Sequence, residues 1–235
     1  MQIVETTACN ASFETHDQDR ALFQGEFCRR LAAEPKFAGE KLDIGCGGGF
    51  PRAFDSIRDL MGVVDGVDPF PEVNDHAGLR NRWHGTFEQA DIPTDGYDLA
   101  YAYNVVEHIE HAAPFFETLR RVLKPGGVFW ALTPHGKHPF CKCVKLVQKL
   151  RLKNTAGKHA DDYNEYPSYY RLNRVEDIAA AAERAGFEKL ETVYIPSVQW
   201  DHYFPRPMRF VPHLYDKVRG LKKPNAMLIL AYRLE

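Results

Sequence analysis

The sequence predicts an α/β fold in which a mostly parallel sheet is covered by helices on both faces. Three observations predict it. Short apolar runs alternate with segments of helical periodicity, a glycine-rich turn follows the first apolar run, and an acid lies at the end of each of the first three runs. At 235 residues, 44% of them apolar, the chain can bury one large core. We therefore expect a single domain over residues 1–235.

The elements follow from these patterns in chain order. HDQDRALFQGEFCRRLAAE has apolar residues near helical spacing and predicts a helix within an N-terminal extension over residues 1–36. Seven strands are expected, in EKLDIG, GVVDGVD, RWHGTFEQAD, YDLAYAYN, GVFWALTP, EKLETVYI and AMLILAYRL. Helices are expected in PRAFDSIRDLM, AAPFFETLRRVLK and RVEDIAAAAERAGF. No clear crossover helix separates the last two strands, so we expect them to pair antiparallel, with residues 136–172 and 196–224 as insertions on the substrate side.

The glycine-rich turn KLDIGCGGGF, residues 41–50, indicates a nucleotide-like ligand at the carboxyl end of the first strand. A triphosphate loop requires a lysine after its glycines, and none follows here. A dinucleotide loop requires a third glycine at position 50, which is Phe50. Asp68 ends the second strand, where a carboxylate accepts both ribose hydroxyls of an adenosine. Asp91, predicted at the end of the third strand, is placed to accept a hydrogen bond from an adenine amino group or, alternatively, to cap a turn.

Together with YDLAYAYNVVEHIEH and LRRVLKPGGVFWALTP, these motifs make the chain resemble the class I S-adenosylmethionine-dependent methyltransferases. The resemblance implies a doubly wound, Rossmann-like seven-stranded sheet of order 3-2-1-4-5-7-6 with strand 7 antiparallel and with lid insertions. It also implies S-adenosylmethionine as the cofactor. The residues that it assigns to that cofactor are Asp43 at the amino end, Gly45, Gly47 and Gly49 along the methionine part, Asp68 at the ribose, Asp91 and Ile92 at the adenine, and Tyr103 and Asn104 near the sulfonium.

Candidates for the chemistry follow the fourth and fifth strands. A hydroxyl acceptor usually needs a general base in methyl transfer, and His108 and His135 are the candidates that we select as catalytic. His108 and His111 are three residues apart, so a metal pair is an alternative. Some quinone-type O-methyltransferases have Glu-x-x-Glu-His here, but Asn104 replaces the first glutamate, and we expect no metal. Weaker similarity of YPSYYRLN to bacterial enzymes of glycan, lipid or secondary-metabolite pathways suggests Tyr169, Tyr170 and Arg171 as substrate-side residues.

The charge distribution bears on the acceptor. Residues 118–160 contain ten Lys and Arg and no acid, although the formal net charge of the chain is −2. This segment, with its predicted basic amphipathic helix, fits a solvated face, an anionic small-molecule acceptor or an anionic membrane surface. Nucleic acid is a less favoured partner, because the chain is slightly acidic and has no recognisable RNA-binding module. Five irregularly spaced cysteines and the lack of a secretory signal pattern predict a cytoplasmic protein, with peripheral membrane contact as an alternative.

The sequence therefore predicts a methyltransferase that acts on an O or N atom of a small molecule. A non-catalytic protein that binds the same cofactor, an RNA methyltransferase and an oxidoreductase are the alternatives. Phe50 and Asp91 argue against the oxidoreductase. The sequence does not identify the acceptor or the oligomeric state.

Overall fold

The computed structural model describes residues 16–138, 141, 168–195, 210, 214 and 227–235. Most of the two predicted insertions, 136–172 and 196–224, lies outside these residues. The part outside includes the predicted basic amphipathic helix and the first two residues of YPSYYRLN. In the part of the chain that is described, no helix is both long enough and apolar enough to cross a bilayer.

Seven strands form one sheet in the order β3-β2-β1-β4-β5-β7-β6, as predicted. The parallel pairs join β1 to β2 and β4, β2 to β3, and β4 to β5, whereas β7 runs antiparallel to both β5 and β6. The strand bounds are Lys41–Ile44 (β1), Val64–Asp68 (β2), Arg82–His84 (β3), Tyr97–Tyr103 (β4), Leu123–Pro134 (β5), Phe187–Ile195 (β6) and Met227–Leu234 (β7). The carboxyl ends of β1, β2, β4 and β5 therefore meet at one edge of the sheet.

Helices cover both faces of this sheet. Their bounds are His16–Ala33 (α1), Arg58–Met61 (α2), Ala112–Val122 (α3) and Val175–Arg184 (α4), with short 3-10 helices at Pro35–Ala38, Arg52–Ser56, Pro71–Asp75 and Val106–His108. One core cluster joins α3 and α4 to the sheet through residues such as Phe116 and Ile178. The other joins α1 to the opposite face through Phe27 and Leu31, which are fully buried. The apolar periodicity of each of these helices is therefore explained by its buried face.

Three local predictions were wrong. PRAFDSIRDLM is not one helix: a 3-10 helix over Arg52–Ser56 is followed by the single turn α2, because Ile57 leaves helical geometry at φ −123°. The third strand ends at His84, before Gly85 at φ +153°, so Asp91 lies in the following loop rather than at a strand end. The helix predicted in AAPFFETLRRVLK ends at Val122, two residues earlier than predicted, and the strand predicted in GVFWALTP begins at Leu123, four residues earlier.

Candidate functional site

The glycine-rich turn leaves β1 in a conformation that only glycine adopts without strain. Gly45 has φ +78° and Gly47 has φ +58°, both in the left-handed region. A Cβ at Gly45 would overlap the Val105 side chain, so this glycine lets the turn pack against the segment that follows β4. A Cβ at Gly47 or Gly49 would meet no heavy atom within 4 Å. The first glycine is therefore required by packing, and the other two keep one side of the loop open.

Asp68 joins the end of β2 to this loop. Its side chain is buried, and its two carboxylate oxygens accept hydrogen bonds from the backbone N–H groups of Gly47 and Phe70, each at 2.8 Å. Each carboxylate oxygen has a second lone pair, so the same group can still accept hydrogen bonds from ligand hydroxyls. Asp68 is thus placed both to shape the loop and to take the ribose role that the sequence predicts for it.

Asp43 is a buried acid beside Asp68. It lies on β1 opposite Tyr101 of β4, on the face of the sheet that α1 covers. Burial raises the pKa of Asp43 to about 8, while the Tyr101 hydroxyl opposes the rise and the charge of Asp68 adds to it. By contrast, the buried Asp65 near the start of β2 accepts hydrogen bonds from Arg80 at 2.7 and 2.9 Å and from the Tyr97 hydroxyl at 2.9 Å. Asp65 is therefore paired with a cation within the fold, whereas burial favours the neutral form of Asp43 in the ligand-free protein.

Asn104 marks the sharp exit from β4. Its φ is +56°, and its N–H donates to the Leu132 carbonyl of β5 at 2.9 Å. Its side-chain Oδ1 is buried and has no hydrogen-bond partner among the described residues. Tyr103, just before it, packs its ring against Phe27 of α1 and Phe54 at centroid distances of 5.8 and 5.5 Å. Asn104 therefore offers a buried oxygen that has no partner among the described residues, and Tyr103 belongs to an aromatic cluster with Phe27 and Phe54.

Asp91 and Ile92, the residues predicted at the adenine, are arranged differently from the prediction. Asp91 is exposed, and Ile92 donates its backbone N–H to the Ala90 carbonyl at 2.9 Å while its side chain is buried in the core. The Ile92 side chain therefore packs in the core beneath the loop. A hydrogen bond from the Ile92 N–H to a purine would require the bond to Ala90 to break. Asp91 keeps a free approach from solvent.

The two predicted bases lie at the exits of neighbouring strands. His108 ends the one-turn helix after β4, and its Nδ1 is 3.4 Å from Ser168 Oγ. His135 directly follows β5, is nearly buried, and packs edge-on against Tyr194 of β6 with ring centroids 5.8 Å apart. Since Tyr103 and Leu132 are register partners on β4 and β5, both histidines belong to the same edge as Asn104.

The predicted substrate-side residues approach this edge from residues 168–173. Tyr170 has φ +50° and donates its N–H to the Glu107 carbonyl at 2.9 Å. The Arg171 guanidinium lies 5.7 Å from the centre of the Tyr169 ring and 3.4 Å from the Glu110 carboxylate. Arg171 and Glu110 are both exposed, so this ion pair is weak and leaves the guanidinium able to meet an anionic ligand.

Thr133 and Asn173 are fully buried near the histidines and were not predicted as site residues from the sequence. Glu107, which directly precedes His108, was not selected as a site residue either. Burial raises the pKa of Glu107 to about 7, and hydrogen bonds from its own backbone amide and from Thr133 oppose the rise. In the described part of the chain, no three His, Cys, Asp or Glu side chains form a group suited to a metal ion.

The two buried acids predict a pH-dependent stability. Because the pKa values of Asp43 and Glu107 lie above those of unfolded carboxyls, the folded state holds protons that the unfolded state releases. The free energy of unfolding should therefore fall as pH rises from about 5 to 8. Glu107→Gln removes one buried charge and should raise that free energy at pH 8 by about 2–3 kcal/mol, with little effect at pH 4.5. Chemical denaturation at both pH values measures it.

The exposed carboxyl of Asp59 provides the control for this pH dependence. Asp59→Asn should leave the pH profile of the wild type unchanged. Equal stability of wild type and Glu107→Gln at both pH values would show that Glu107 ionises without cost in the folded protein.

The residues at this edge fit S-adenosylmethionine. The open side of the loop at Gly47 and Gly49 admits an extended ligand, and Asp68 retains acceptor capacity for hydroxyls. An ammonium group beside Asp43 would favour the ionised form of that carboxyl, and the Asn104 Oδ1 offers a partial negative charge to a sulfonium. When bound, that cofactor supplies a methyl group already activated for displacement.

Comparisons with known proteins identify the family to which the chain is similar. The model of a methyltransferase-domain family matches residues 15–192. A probable S-adenosylmethionine-dependent methyltransferase of Mycolicibacterium smegmatis is 33% identical over 158 residues, which cover 65% of this chain and 53% of that protein. A ubiquinone biosynthesis O-methyltransferase of Methylobacterium nodulans is 32% identical over 119 residues, 45% of this chain and 47% of that protein. The match thus spans about half the length of these relatives.

A solved structure extends the fold comparison over nearly the whole chain. The crystal structure of an S-adenosylmethionine-dependent methyltransferase from Mesorhizobium loti superimposes with a TM-score of 0.59 at 18% identity, covering 89% of this chain and 97% of that one. At that identity the likeness shows the fold alone. With the strand order, the strand-end residues and the match of the family model over most of the chain, the conclusion is that this protein belongs to the class I S-adenosylmethionine-dependent methyltransferases.

Proposed function

We propose that this chain transfers the methyl group of S-adenosylmethionine to an oxygen atom of a small hydroxylated molecule. The observation that carries the proposal is the placement of His108 and His135 at the exits of the neighbouring strands β4 and β5, beside Asn104. A hydroxyl is a weak nucleophile until its proton is removed, and imidazole is the side chain best suited to remove it near neutral pH. The names of relatives such as the O-methyltransferase of Methylobacterium nodulans support oxygen over nitrogen as the acceptor atom.

In this proposal the residues of the chain divide the work. Asp68 and the open glycine turn bind the donor, and Asn104 faces the region where the transferred methyl group lies. His135 or His108 takes the acceptor proton as the new carbon–oxygen bond forms and the carbon–sulfur bond breaks. Positioning of the acceptor opposite the leaving sulfur supplies much of the remaining rate enhancement.

The chemical class of the acceptor is proposed from the groups around this edge. Tyr169, Tyr194 and the His135 ring provide aromatic surfaces, and Arg171 provides positive charge. We therefore propose an aromatic or otherwise planar hydroxyl compound that carries a negative group, including a lipid-linked one. Glycan and secondary-metabolite acceptors with those features remain within the proposal.

The test is methyl transfer from radiolabelled S-adenosylmethionine to a panel of hydroxylated aromatics, amines and anionic lipids. We expect a methyl ether as product, and a fall of about 100-fold or more in kcat for His135→Gln or His108→Gln, whichever is the base, with binding of S-adenosylhomocysteine retained. The exposed His111 provides the matched control, His111→Gln. Labelled amines in place of ethers, or full activity in both histidine variants, would overturn the proposal. Tight cofactor binding without transfer to any acceptor would favour the non-catalytic alternative.

A further inference from the structure

Three buried polar side chains link the segments that carry the two histidines. Thr133 near the end of β5 donates its hydroxyl hydrogen bond to Glu107 Oε2 at 3.1 Å. Asn173, just before α4, donates from Nδ2 to Thr133 Oγ1 at 2.8 Å. Thr133 and Asn173 are completely buried and Glu107 is 6% exposed, so the bonds of this cluster are shielded from water. The cluster joins the exit of β4, the end of β5 and the start of α4.

Asn173 holds the chain on both sides of His135. Its Nδ2 donates a second hydrogen bond, to the Pro134 carbonyl at 2.8 Å, and its own carbonyl accepts the N–H of Gly136 at 2.6 Å. The backbone immediately before and after His135 is therefore tied to one residue. This fixes the direction in which the imidazole leaves the strand, and the Tyr194 ring supports the imidazole from β6.

Glu107 makes the corresponding connection beside His108. It directly precedes the histidine, and its carbonyl accepts the Tyr170 N–H at 2.9 Å. Ser168 Oγ, two residues before Tyr170, lies 3.4 Å from His108 Nδ1. Residues 168–173 thus contact the neighbourhoods of both histidines.

The composition of the cluster argues for a positional role rather than for stability alone. A buried carboxyl costs free energy when it ionises, and apolar residues of similar size are commonly as stable or more stable at such positions. Directional hydrogen bonds, unlike apolar packing, fix a single relative placement of the groups that they join.

We propose that Glu107, Thr133 and Asn173 are positioning residues that fix His135, and with it His108, against the region of methyl transfer. The effect of the cluster on the rate rests on the proposed function of the histidines, but its effect on their placement does not. Thr133 is the residue to change, because valine has the same shape without the hydroxyl, and serine keeps the hydroxyl.

The test compares Thr133→Val, Thr133→Ser and the wild type. In Thr133→Val we expect the amide protons of Gly136 and Tyr170 to exchange with solvent at least 10-fold faster. We also expect the imidazole carbon and proton NMR shifts of His135 to change, while affinity for S-adenosylhomocysteine stays within about twofold. Thr133→Ser should restore the wild-type exchange and shifts. With an acceptor in hand, Thr133→Val should lower kcat about 10-fold or more with little change in KM for the donor.

The controls separate positioning from folding and from the function itself. Arg174→Ala, an exposed change next to Asn173, should match the wild type in every readout. Unchanged Gly136 exchange and His135 shifts in Thr133→Val would overturn the proposal, as would serine behaving like valine. If Thr133→Val fails to fold, Asn173→Asp takes its place, since it keeps the size but loses both Nδ2 donors. Altered His135 shifts together with full activity in both His135→Gln and His108→Gln would refute the proposed base and leave the positioning intact.

Discussion

Replacing Asp68 by alanine is expected to weaken binding of S-adenosylhomocysteine by about 100-fold or more. The carboxylate accepts the N–H groups of Gly47 and Phe70, each at 2.8 Å, and is buried. Alanine leaves both donors unpaired, which costs about 1–3 kcal/mol for each buried group, and it removes the acceptor proposed for the ribose hydroxyls. Calorimetric titration measures the affinity, and thermal unfolding measures the loss of stability that accompanies it.

The matched control is an acid of the same charge away from the site. Asp59 on α2 is exposed, so Asp59→Ala should change neither affinity nor stability appreciably. Asp68→Asn should also bind weakly, because an amide keeps one acceptor oxygen and places a donor against the second backbone N–H. Full affinity for S-adenosylhomocysteine in Asp68→Ala would show that the adenosine does not bind at the end of β2.

Replacing Gly45 by alanine is expected to destabilise the fold by about 2–5 kcal/mol. A Cβ at this position overlaps the Val105 side chain, and φ +78° strains any residue with a Cβ by about 1–2 kcal/mol. The two contributions separate in a double variant. Gly45→Ala with Val105→Ala should recover the part that is due to the overlap and retain the part that is due to strain.

Gly49 is the matched glycine for that experiment. A Cβ there would meet no heavy atom within 4 Å, and the φ of Gly49 is not positive. Gly49→Ala should therefore keep wild-type stability and weaken binding of S-adenosylhomocysteine, because the new methyl group projects from the open side of the loop. Equal stability of the Gly45 and Gly49 variants in urea unfolding would contradict the distinction between a packing glycine and a ligand-side glycine.

The sheet was predictable from sequence because its strands carry strong signals. Short apolar runs, a glycine turn after the first and a final pair without a crossover helix predict a parallel sheet with an antiparallel closing pair, and the resemblance to a known family supplied the strand order. The broken helix at Arg52–Met61 was not predictable in the same way. Its buried residues Phe54, Ile57 and Met61 are three and four positions apart, a spacing that a 3-10 helix followed by one α-turn satisfies as well as a continuous helix does.

The site divides along similar lines. Residues at strand ends, such as Asp43, Asp68 and Asn104, could be placed because the strand that carries each one could be placed. Asn173 could not be placed in this way, because the partners of its side chain lie 39 and 40 residues away in the chain and no local sequence pattern predicts such contacts. The exposed position of Asp91 was missed because the third strand is short and ends at His84, before Gly85, rather than continuing to the acid.

A crystal structure with S-adenosylhomocysteine would show whether the cofactor binds at this edge of the sheet. We expect the ribose hydroxyls within hydrogen-bond distance of Asp68, the amino-acid part along Gly47 and Gly49, and the sulfur beside Asn104 with His135 facing it. A ligand bound away from the carboxyl ends of β1, β2 and β4, or crystals that take up none at saturating concentration, would show that this site is wrong.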